Sequence, residues 1–329
     1  MAVEPAFHNN INMRNISLVA ARSMILLFIL LHLSEDLAAQ FDHQQDIVYG
    51  YKDGMALVLD AYIPEENKKG ASVICVMSGG MRSGPYWSHY AVYDPIIKGL
   101  IESGYVAFAV AHGSQPRYTI EEIRRDISRA VRFIRHNSDK YEIDSQKIGI
   151  MGRSSGAQLA LMASLGPLPS DPVSWDTVEH ESSFLQAVVS YYPGTDLINF
   201  GQANKTILEH FQSIGFLIDA AFDFHQWDTL TNRFERIEDP ELIRQLYVEN
   251  SPLAHVSEDA PPVLLFHGDA DNTVPIQQSE ILVTQLKKVG VTHKLIIAKD
   301  QGHGWEDPIE NELLNIINWY NMHLLGMEN

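Results

Sequence analysis

Cysteine is nearly absent from this sequence of 329 residues, in which Cys75 is the only one. A single cysteine allows neither an internal disulfide nor a zinc site built from several thiolates. Cys75 lies within the apolar run 73–77, which indicates a small buried side chain. The cysteine content therefore excludes a disulfide framework and indicates no particular compartment.

Basic residues are also scarce, since 24 Lys and Arg stand against 42 Asp and Glu, for a formal net charge of −18. Nucleic acid is bound by surfaces with clustered positive charge, and anionic lipid attracts basic segments in the same way. The composition thus argues against a nucleic acid partner and against electrostatic attachment to a membrane. With 45% hydrophobic and 20% charged residues, the chain is otherwise an ordinary globular protein.

Long hydrophobic runs are missing too, because none reaches the roughly 20 residues that a membrane-spanning helix needs. The apolar core Ser23–Leu31 follows Arg14 and Arg22 and precedes Ala38 and Ala39. A basic region, a short apolar core and small residues at a cleavage site are typical of a secretory signal peptide. We therefore predict a signal peptide at 1–39, a secreted or periplasmic protein, and no stable membrane insertion after cleavage. An uncleaved anchor helix is the alternative.

Residues 40–329 alternate between apolar strand patterns and helical patterns. A hairpin is expected to join strands at 47–51 and 55–63. Further strands are expected at 71–77, 105–111, 147–151, 185–192, 261–266 and 293–298. Helices are expected at 90–103, 120–137, 276–289 and 308–325. Such alternation predicts a mostly parallel central sheet with helices on both faces. We expect one domain of the α/β class with one insertion.

The sequence G-R-S-S-G at 152–156 separates an apolar strand pattern from an alanine-rich helical pattern. It fits G-x-S-x-G, in which a serine occupies a sharp strand-to-helix turn and the glycines let backbone pack against backbone. The new helix directs its N-terminal N–H groups at the same place. Ser154, the central residue, is therefore the candidate nucleophile rather than Ser155.

A serine hydroxyl becomes a good nucleophile when a base removes its proton, and that base is usually a histidine held by a carboxylate. In the chain order serine, acid, histidine, the sequence offers Ser154, Asp271 and His303. Asp271 follows the strand at 261–266, and His303 follows the final strand. Asp269 is an alternative for the acid. The order of these residues predicts nucleophilic catalysis.

Acyl transfer at a serine also needs N–H donors for the oxyanion. We expect them from Ser155 and from Gly79, Gly80 and Met81, in the glycine-rich loop that follows the strand at 71–77. This loop lacks the lysine and serine spacing of a phosphate-binding P-loop and does not fit G-x-G-x-x-G. The predicted chemistry requires no metal and no organic cofactor.

The motifs at 152–156, 267–275 and 302–305 resemble those of the α/β-hydrolase superfamily. The spelling H-G-x-x-D-x-x-V-P at 267–275 is the most specific, and the resemblance implies that its second aspartate, Asp271, is the catalytic acid. The likeness extends to carboxylesterases and acetyl-xylan or feruloyl esterases of the hormone-sensitive-lipase-like and BD-FAE-like groups. It implies an α/β-hydrolase fold for 40–329.

One departure from that family lies in the oxyanion loop, where relatives usually have H-G-G-x and this sequence has Ser78-Gly79-Gly80-Met81. The backbone donors survive the change, so hydrolysis is still expected. A second departure is Ala157, at a position where many relatives have a further glycine.

The resulting hypothesis is a secreted serine esterase that cleaves short-chain or carbohydrate-linked acyl groups through an acyl-enzyme intermediate. Its partner is a small-molecule or carbohydrate ester, with Tyr86, Trp87 and Trp305 as candidate contacts. The oligomeric state is left open. A peptidase of the prolyl-oligopeptidase type shares such a triad, but it usually carries a large propeller domain, which the residues before Asp46 are too few to form. A non-catalytic binding protein is a further alternative, yet all three triad residues are present.

Residues 199–251 interrupt the strand–helix alternation with mixed aromatic and charged sequence. Because they follow a strand, they belong to the side of the sheet where active sites of open α/β sheets lie. Apolar clusters at 211–216 and 222–227 predict a small helical cap, with Phe222 or Trp227 lining an acyl pocket. A surface excursion packed on the flank of the sheet is the alternative.

The signal peptide predicts the N-terminus of the mature protein. Mass spectrometry of the exported protein should find its first residue near Gln40, because Ala38 and Ala39 provide the small side chains that signal peptidase accepts. A soluble mature form that retains 24–33 would contradict cleavage.

Overall fold

A computed structural model of the chain describes residues 41–305 and 309–327. The predicted signal peptide, 1–39, lies outside these residues. Within the described ranges, no helix combines the length and the apolar character needed to cross a bilayer.

An 8-stranded sheet forms the centre of the protein. Its strands are β1 (Phe41–Lys52), β2 (Met55–Pro64), β3 (Ser72–Val76), β4 (Val106–Val110), β5 (Ile148–Arg153), β6 (Ala187–Tyr191), β9 (Val263–Gly268) and β10 (His293–Ala298). They lie in the order β1-β2-β4-β3-β5-β6-β9-β10. Strand β2 pairs with β4 antiparallel, whereas β4, β3, β5, β6, β9 and β10 pair in parallel. The predicted α/β architecture is confirmed.

The central strands are buried along their whole length. All five residues of β3, β4 and β6 are buried, as are all residues of β9. Parallel strands covered on both faces read as continuous apolar runs rather than as alternating patterns. This is why each of them was recognisable in the sequence.

Helices cover both faces of the sheet, and two glycines of β5 show this. A Cβ atom on Gly149 would lie 2.5 Å from the ring of Tyr320, in helix α8 (Glu312–Leu325). A Cβ atom on Gly152 would lie 2.3 Å from the backbone of Gly156, in helix α4 (Ser155–Leu165). Side chains alternate along a strand, so positions three apart point to opposite faces. Helices α8 and α4 therefore lie on opposite sides of β5.

The remaining helices connect the strands. They are α1 (Pro85–His89), α2 (Pro95–Glu102), α3 (Ile120–His136), α5 (Ile207–Ser213), α6 (Pro240–Glu249) and α7 (Gln277–Lys288). Helix α3 begins with a capping box between Thr119 and Glu122 and buries an isoleucine-rich face.

The helix predicted at 90–103 is wrong in its extent. The structure has α1, then a 3₁₀ turn at Ala91–Tyr93, then α2. Proline at position 95 cannot continue a helix that starts before it, but it is favoured in the first turn of a new one. Asp94 caps that new helix by accepting the N–H groups of Ile96 and Ile97.

The hairpin that joins β1 to β2 turns where it was predicted. Asp53 and Gly54 have φ values of 47° and 76°, so both central residues are left-handed. This is the type I′ geometry, whose twist matches that of the paired strands. Strand β1 is longer than predicted and begins at Phe41.

Between β6 and β9 lies the cap segment (residues 199–251). It contains α5, a 3₁₀ turn at Asp219–Phe222, the two-stranded ribbon β7 (His225–Asp228) and β8 (Arg233–Arg236), and α6. Phe222 is buried and its ring stacks on Tyr247 at 5.5 Å between centroids. Trp227 packs on Phe234 within the ribbon and is about half exposed. The segment is thus a mixture of short helices and strands packed through an aromatic cluster.

Candidate active site

The turn between β5 and α4 brings two backbone segments into contact. A Cβ atom on Gly152 would lie 2.3 Å from the backbone of Gly156, and one on Gly156 would lie 2.7 Å from the carbonyl oxygen of Val76. No side chain fits at either position. Between them Ser154 has φ 52° and ψ −120°, a strained conformation for a residue with a side chain. The local packing explains both glycines of the motif.

The three residues predicted as a triad lie in one hydrogen-bonded line. Nε2 of His303 is 2.9 Å from Oγ of Ser154, and Nδ1 of His303 is 2.8 Å from Oδ2 of Asp271. A carboxylate only accepts hydrogen bonds, so Nδ1 of a neutral imidazole donates to Asp271. Nε2 then accepts the hydroxyl proton of Ser154. The three side chains come from the ends of β5, β9 and β10.

The Asp271 carboxylate is buried, yet it is stabilised as an anion. Burial by itself would raise the pKa of Asp271, but hydrogen bonds from His267 and His303 and from the backbone outweigh it and hold the pKa well below its usual range. Its Oδ1 accepts the N–H groups of Thr273 and Val274 at 2.8 and 2.9 Å. The carboxylate therefore stays charged at neutral pH.

Asp269, the alternative acid, has a different position. It is exposed, and its Oδ1 accepts the N–H of Asp300 at 2.6 Å. That bond ties together the loops after β9 and β10. Asp271 is the aspartate that the structure brings to His303.

His267 is a member of this site that the sequence reasoning did not assign. It is fully buried, and its Nε2 lies 2.8 Å from the carbonyl oxygen of Val274 and 3.5 Å from Oδ2 of Asp271. Nδ1 lies 2.7 Å from Oγ of Ser279. Because a carbonyl accepts, Nε2 carries the proton and Nδ1 accepts the serine hydroxyl. The ring thus fixes the loop that carries Asp271.

The glycine-rich loop after β3 forms a two-residue turn beside Ser154. Gly80 and Met81 have φ values of 55° and 60°. The N–H of Gly79 donates to the carbonyl of Arg82 at 3.0 Å, and the N–H of Arg82 donates back at 3.1 Å. The N–H of Gly79, one of the expected oxyanion donors, is thus engaged within the turn. Gly80, Met81 and Ser155 do border the space in front of Ser154.

Side chains hold this turn in place. Oγ of Ser155 accepts the N–H of Met81 at 3.1 Å and lies 2.9 Å from Oγ of Ser78. The backbone N–H of Gln115 donates to the carbonyl of Met81 at 3.0 Å, and its side-chain amide donates to the carbonyl of Gly80 at 2.5 Å. Ser155 therefore connects the turn to α4, and Gln115 connects it to the loop after β4. Neither connection was apparent from the sequence.

A cavity of about 340 Å³ opens beside Ser154 and His303. Its walls are mostly apolar. Seven of the 16 lining residues come from the cap segment, and six of these have apolar side chains: Phe200, Ile207, Phe211, Ile214, Phe216 and Ile218. The ring of Phe216 lies over the turn at Gly80 and Met81, where a Cβ atom on Gly80 would come within 3.1 Å of it. Phe222 and Trp227, which were expected to line the pocket, are not among its lining residues in the described part of the chain.

The three aromatic residues predicted to contact substrate do not border this cavity. Tyr86 is exposed and packs on Tyr90, and Trp87 lies against Gly79. Trp305 packs on Tyr192 and donates its indole N–H to Glu312 at 2.9 Å. Among the described residues, the cavity beside Ser154 is bordered by none of these predicted contacts. Aromatic side chains near a motif in the sequence gave no guide to the walls of the cavity.

The fold and the arrangement of serine, histidine and aspartate define the chain as an α/β-hydrolase. The BD-FAE family model matches residues 59–286, well over half of the chain. The protein belongs to the BD-FAE family.

Two curated relatives are similar over most of this chain. It is 24% identical over 261 residues to a probable isoprenylcysteine alpha-carbonyl methylesterase of Arabidopsis thaliana, covering 79% of this chain and 50% of the relative. It is 28% identical over 251 residues to the probable carboxylic ester hydrolase LipM of Mycobacterium tuberculosis, covering 76% of this chain and 53% of the relative. The chain thus spans about half the length of these relatives.

Solved structures share the fold. A truncated carbohydrate esterase from gut microbiota has a TM-score of 0.66 at 22% identity, covering 87% of this chain and 98% of that one. A thermophilic esterase of Thermogutta terrifontis has a TM-score of 0.62 at 22% identity, covering 86% and 92%. At this identity the similarity establishes the α/β-hydrolase fold alone.

Proposed function

We propose that the protein is a serine hydrolase that cleaves carboxylic esters through an acyl-enzyme intermediate. The observation that carries this proposal is the unbroken hydrogen-bonded line from Ser154 through His303 to the buried Asp271. The names of the relatives support the same activity, since they describe a methylesterase and a carboxylic ester hydrolase.

Ser154 attacks the ester carbonyl while Nε2 of His303 takes the hydroxyl proton. The imidazole becomes an imidazolium, whose charge Asp271 stabilises through Nδ1–H at 2.8 Å. His303 then gives its proton to the leaving alkoxide, and the alcohol departs. Water attacks the acyl-enzyme with His303 again as base, which releases the acid and restores Ser154.

The tetrahedral oxyanion lies at the N-terminus of α4. The N–H of Ser155 belongs to the first turn of that helix, where N–H groups have no partner within the helix. Gly80 and Met81 present their backbone from the facing turn. The Met81 N–H now donates to Oγ of Ser155, and an oxyanion is a stronger acceptor that takes this donor over.

The apolar cavity beside Ser154 receives the acyl group. Apart from Ser154, Ser155 and His303, its lining within the described residues has two side chains that can hydrogen-bond, Gln158 and Thr273. The remaining side chains are apolar, which favours a hydrocarbon chain over a hydroxylated one. The cap segment supplies most of the apolar side chains in these walls, so it acts as a cap over the acyl site. The alcohol portion of the ester, a small molecule or a carbohydrate, extends away from the cavity. The protein acts after export, as the N-terminal pattern of charge and hydrophobicity predicts.

Replacing the nucleophile tests the proposed function directly. With 4-nitrophenyl butanoate as substrate, Ser154→Ala should lose turnover by a factor on the order of 10⁶, the loss known for the subtilisin nucleophile. Ser164→Ala, on the same helix and bonded to the carbonyl of Ala160, is the control and should keep its activity. If Ser154→Ala retains hydrolysis, or if only Ser155→Ala loses it, the nucleophile is a residue other than Ser154.

The two aspartates should differ sharply in the same assay. Asp271→Asn should lower kcat by about 10⁴-fold, because the amide holds His303 in the wrong tautomer. Asp269→Asn should have little effect on kcat, since Asp269 bonds the backbone of Asp300 rather than the imidazole. The opposite ranking would assign the acid to Asp269.

Acyl-chain preference tests the role of the cavity. Phe216→Ala enlarges the cavity next to the oxyanion turn, so kcat/KM for longer 4-nitrophenyl esters should rise relative to the acetate. Each methylene accommodated in such a pocket is worth about 1–3 kcal/mol. Trp227→Ala, on the β7–β8 ribbon, is the matched control and should leave the profile unchanged. Identical chain-length profiles in both variants would mean that the acyl group binds elsewhere.

A further inference from the structure

Tyr192, the residue after β6, has a backbone conformation that few large residues adopt. Its φ is 40°, in the left-handed region, although it is neither glycine nor a small polar residue. Such a conformation costs on the order of 1–3 kcal/mol and persists only where the surrounding structure enforces it. Strained residues of this kind cluster at functional sites, so the surroundings of Tyr192 are informative.

The backbone of Tyr191 and Tyr192 is hydrogen-bonded to the elements on both sides of β6. The N–H of Tyr192 donates to the carbonyl of Phe266 at 2.7 Å, on the strand that leads to Asp271. The carbonyl of Tyr191 accepts the N–H of Ser154 at 3.0 Å. These two bonds hold the backbone at Tyr192 between the strand that precedes Ser154 and the strand that precedes Asp271.

The aromatic ring of Tyr192 packs directly on the imidazole of His303. The two ring centroids are 4.5 Å apart, with an angle of 60° between the planes. The ring of His267 lies edge-on at 6.5 Å. Tyr192 is only 7% exposed, so its ring is enclosed among these groups. It therefore forms a wall for an imidazole that is otherwise held by one hydrogen bond on each side.

Trp305 also packs against the ring of Tyr192. Its centroid lies 5.6 Å from that of Tyr192, nearly perpendicular to it, and its indole N–H is fixed by Glu312. Gly304, with φ 84°, allows the chain to turn between His303 and Trp305. A Cβ atom there would lie 3.6 Å from the Tyr192 hydroxyl. Trp305 is thus a support for Tyr192 in this structure.

We propose that Tyr192 is a positioning residue whose ring holds the His303 imidazole in line between Ser154 and Asp271. The inference rests on the proposed function, because it concerns the same proton transfers. Two hydrogen bonds fix the distances of the imidazole but leave the ring free to tilt about the line that joins them. A packed aromatic face removes that freedom, and a misplacement of about 1 Å can reduce a rate by about 100-fold.

The contact between Tyr192 and His303 is made by the aromatic ring of Tyr192 and places no charge beside the imidazole. Burial raises the pKa of Tyr192 to about 12, so the phenol is neutral wherever the enzyme works. A phenylalanine at this position therefore keeps the interaction, whereas an aliphatic side chain does not. This difference separates positioning from direct participation of the hydroxyl.

The test compares Tyr192→Phe and Tyr192→Leu in the full chain, with Tyr105→Leu as a matched control. Tyr105, which directly precedes β4, is also buried; its ring packs on Tyr320 and its hydroxyl donates to Asn321. With 4-nitrophenyl butanoate, Tyr192→Leu should lower kcat by about 100-fold while KM stays close to that of the unaltered protein. Tyr192→Phe should keep kcat, and Tyr105→Leu should lower the melting temperature without lowering kcat.

Each other result overturns the inference in a recognisable way. Unchanged kcat in Tyr192→Leu would show that His303 needs no such wall. An equal loss in Tyr192→Phe would make the hydroxyl a direct participant in catalysis. An equal loss of kcat in Tyr105→Leu would mean that the loss in Tyr192→Leu comes from general destabilisation of the core and not from the contact with His303. If the unaltered protein hydrolyses no ester, the proposed function itself fails, which the first measurement of the series reveals.

Discussion

The contact between the backbones of Gly152 and Gly156 is the constraint on which the rest of this structure depends. A strand and a helix meet there at a separation that excludes even a methyl group. This closeness forces Ser154 into a strained conformation and starts α4 immediately after it. The N-terminus of that helix then faces the same space as the serine hydroxyl, which concentrates a nucleophile and N–H donors in one place. A larger residue at either glycine would separate the two.

Parallel strand order brings the other groups to this point. The carboxyl ends of β5, β6 and β9 are neighbours in the sheet, with β10 beside β9, so the loops after them share one edge. Those loops carry Ser154, Tyr192, Asp271 and His303, which lie far apart along the chain. Burying the Asp271 carboxylate opposes ionisation, and hydrogen bonds from two histidines and two backbone N–H groups offset that penalty. The site is thus made of short polar links within an apolar sheet edge.

The cap segment borders the space beside this edge. Its inner side chains make an apolar cavity beside Ser154, whereas its β7–β8 ribbon exposes Trp227 and Phe234 at the surface. The turn at Gly80 and Met81 is bordered by Phe216 from the same segment. Under the proposed function, chemistry and selectivity would therefore reside in different parts of the fold, as is common where loops on a shared sheet vary.

The sequence by itself determined what depends on neighbouring residues. Continuous apolar runs marked the buried strands, Asp53-Gly54 marked the hairpin, and Gly152–Gly156 marked the turn with Ser154, because each pattern reflects local sterics and burial. The order of Asp271 and His303 after their strands was readable as well. Most of the fold and the three proposed catalytic residues were predictable on that basis, apart from details such as the break that Pro95 makes in the helix predicted at 90–103.

Only the tertiary structure decided which side chains surround the serine. Phe211 and Phe216 line the cavity whereas Phe222 and Trp227 do not, although all four have the same apolar character in one segment. Trp305 follows His303 in sequence but packs behind Tyr192, and the N–H of Gly79 is engaged within its own turn. These outcomes depend on contacts between residues far apart in the chain. Local patterns specify elements and turns, but a cavity wall is specified by how those elements pack against one another.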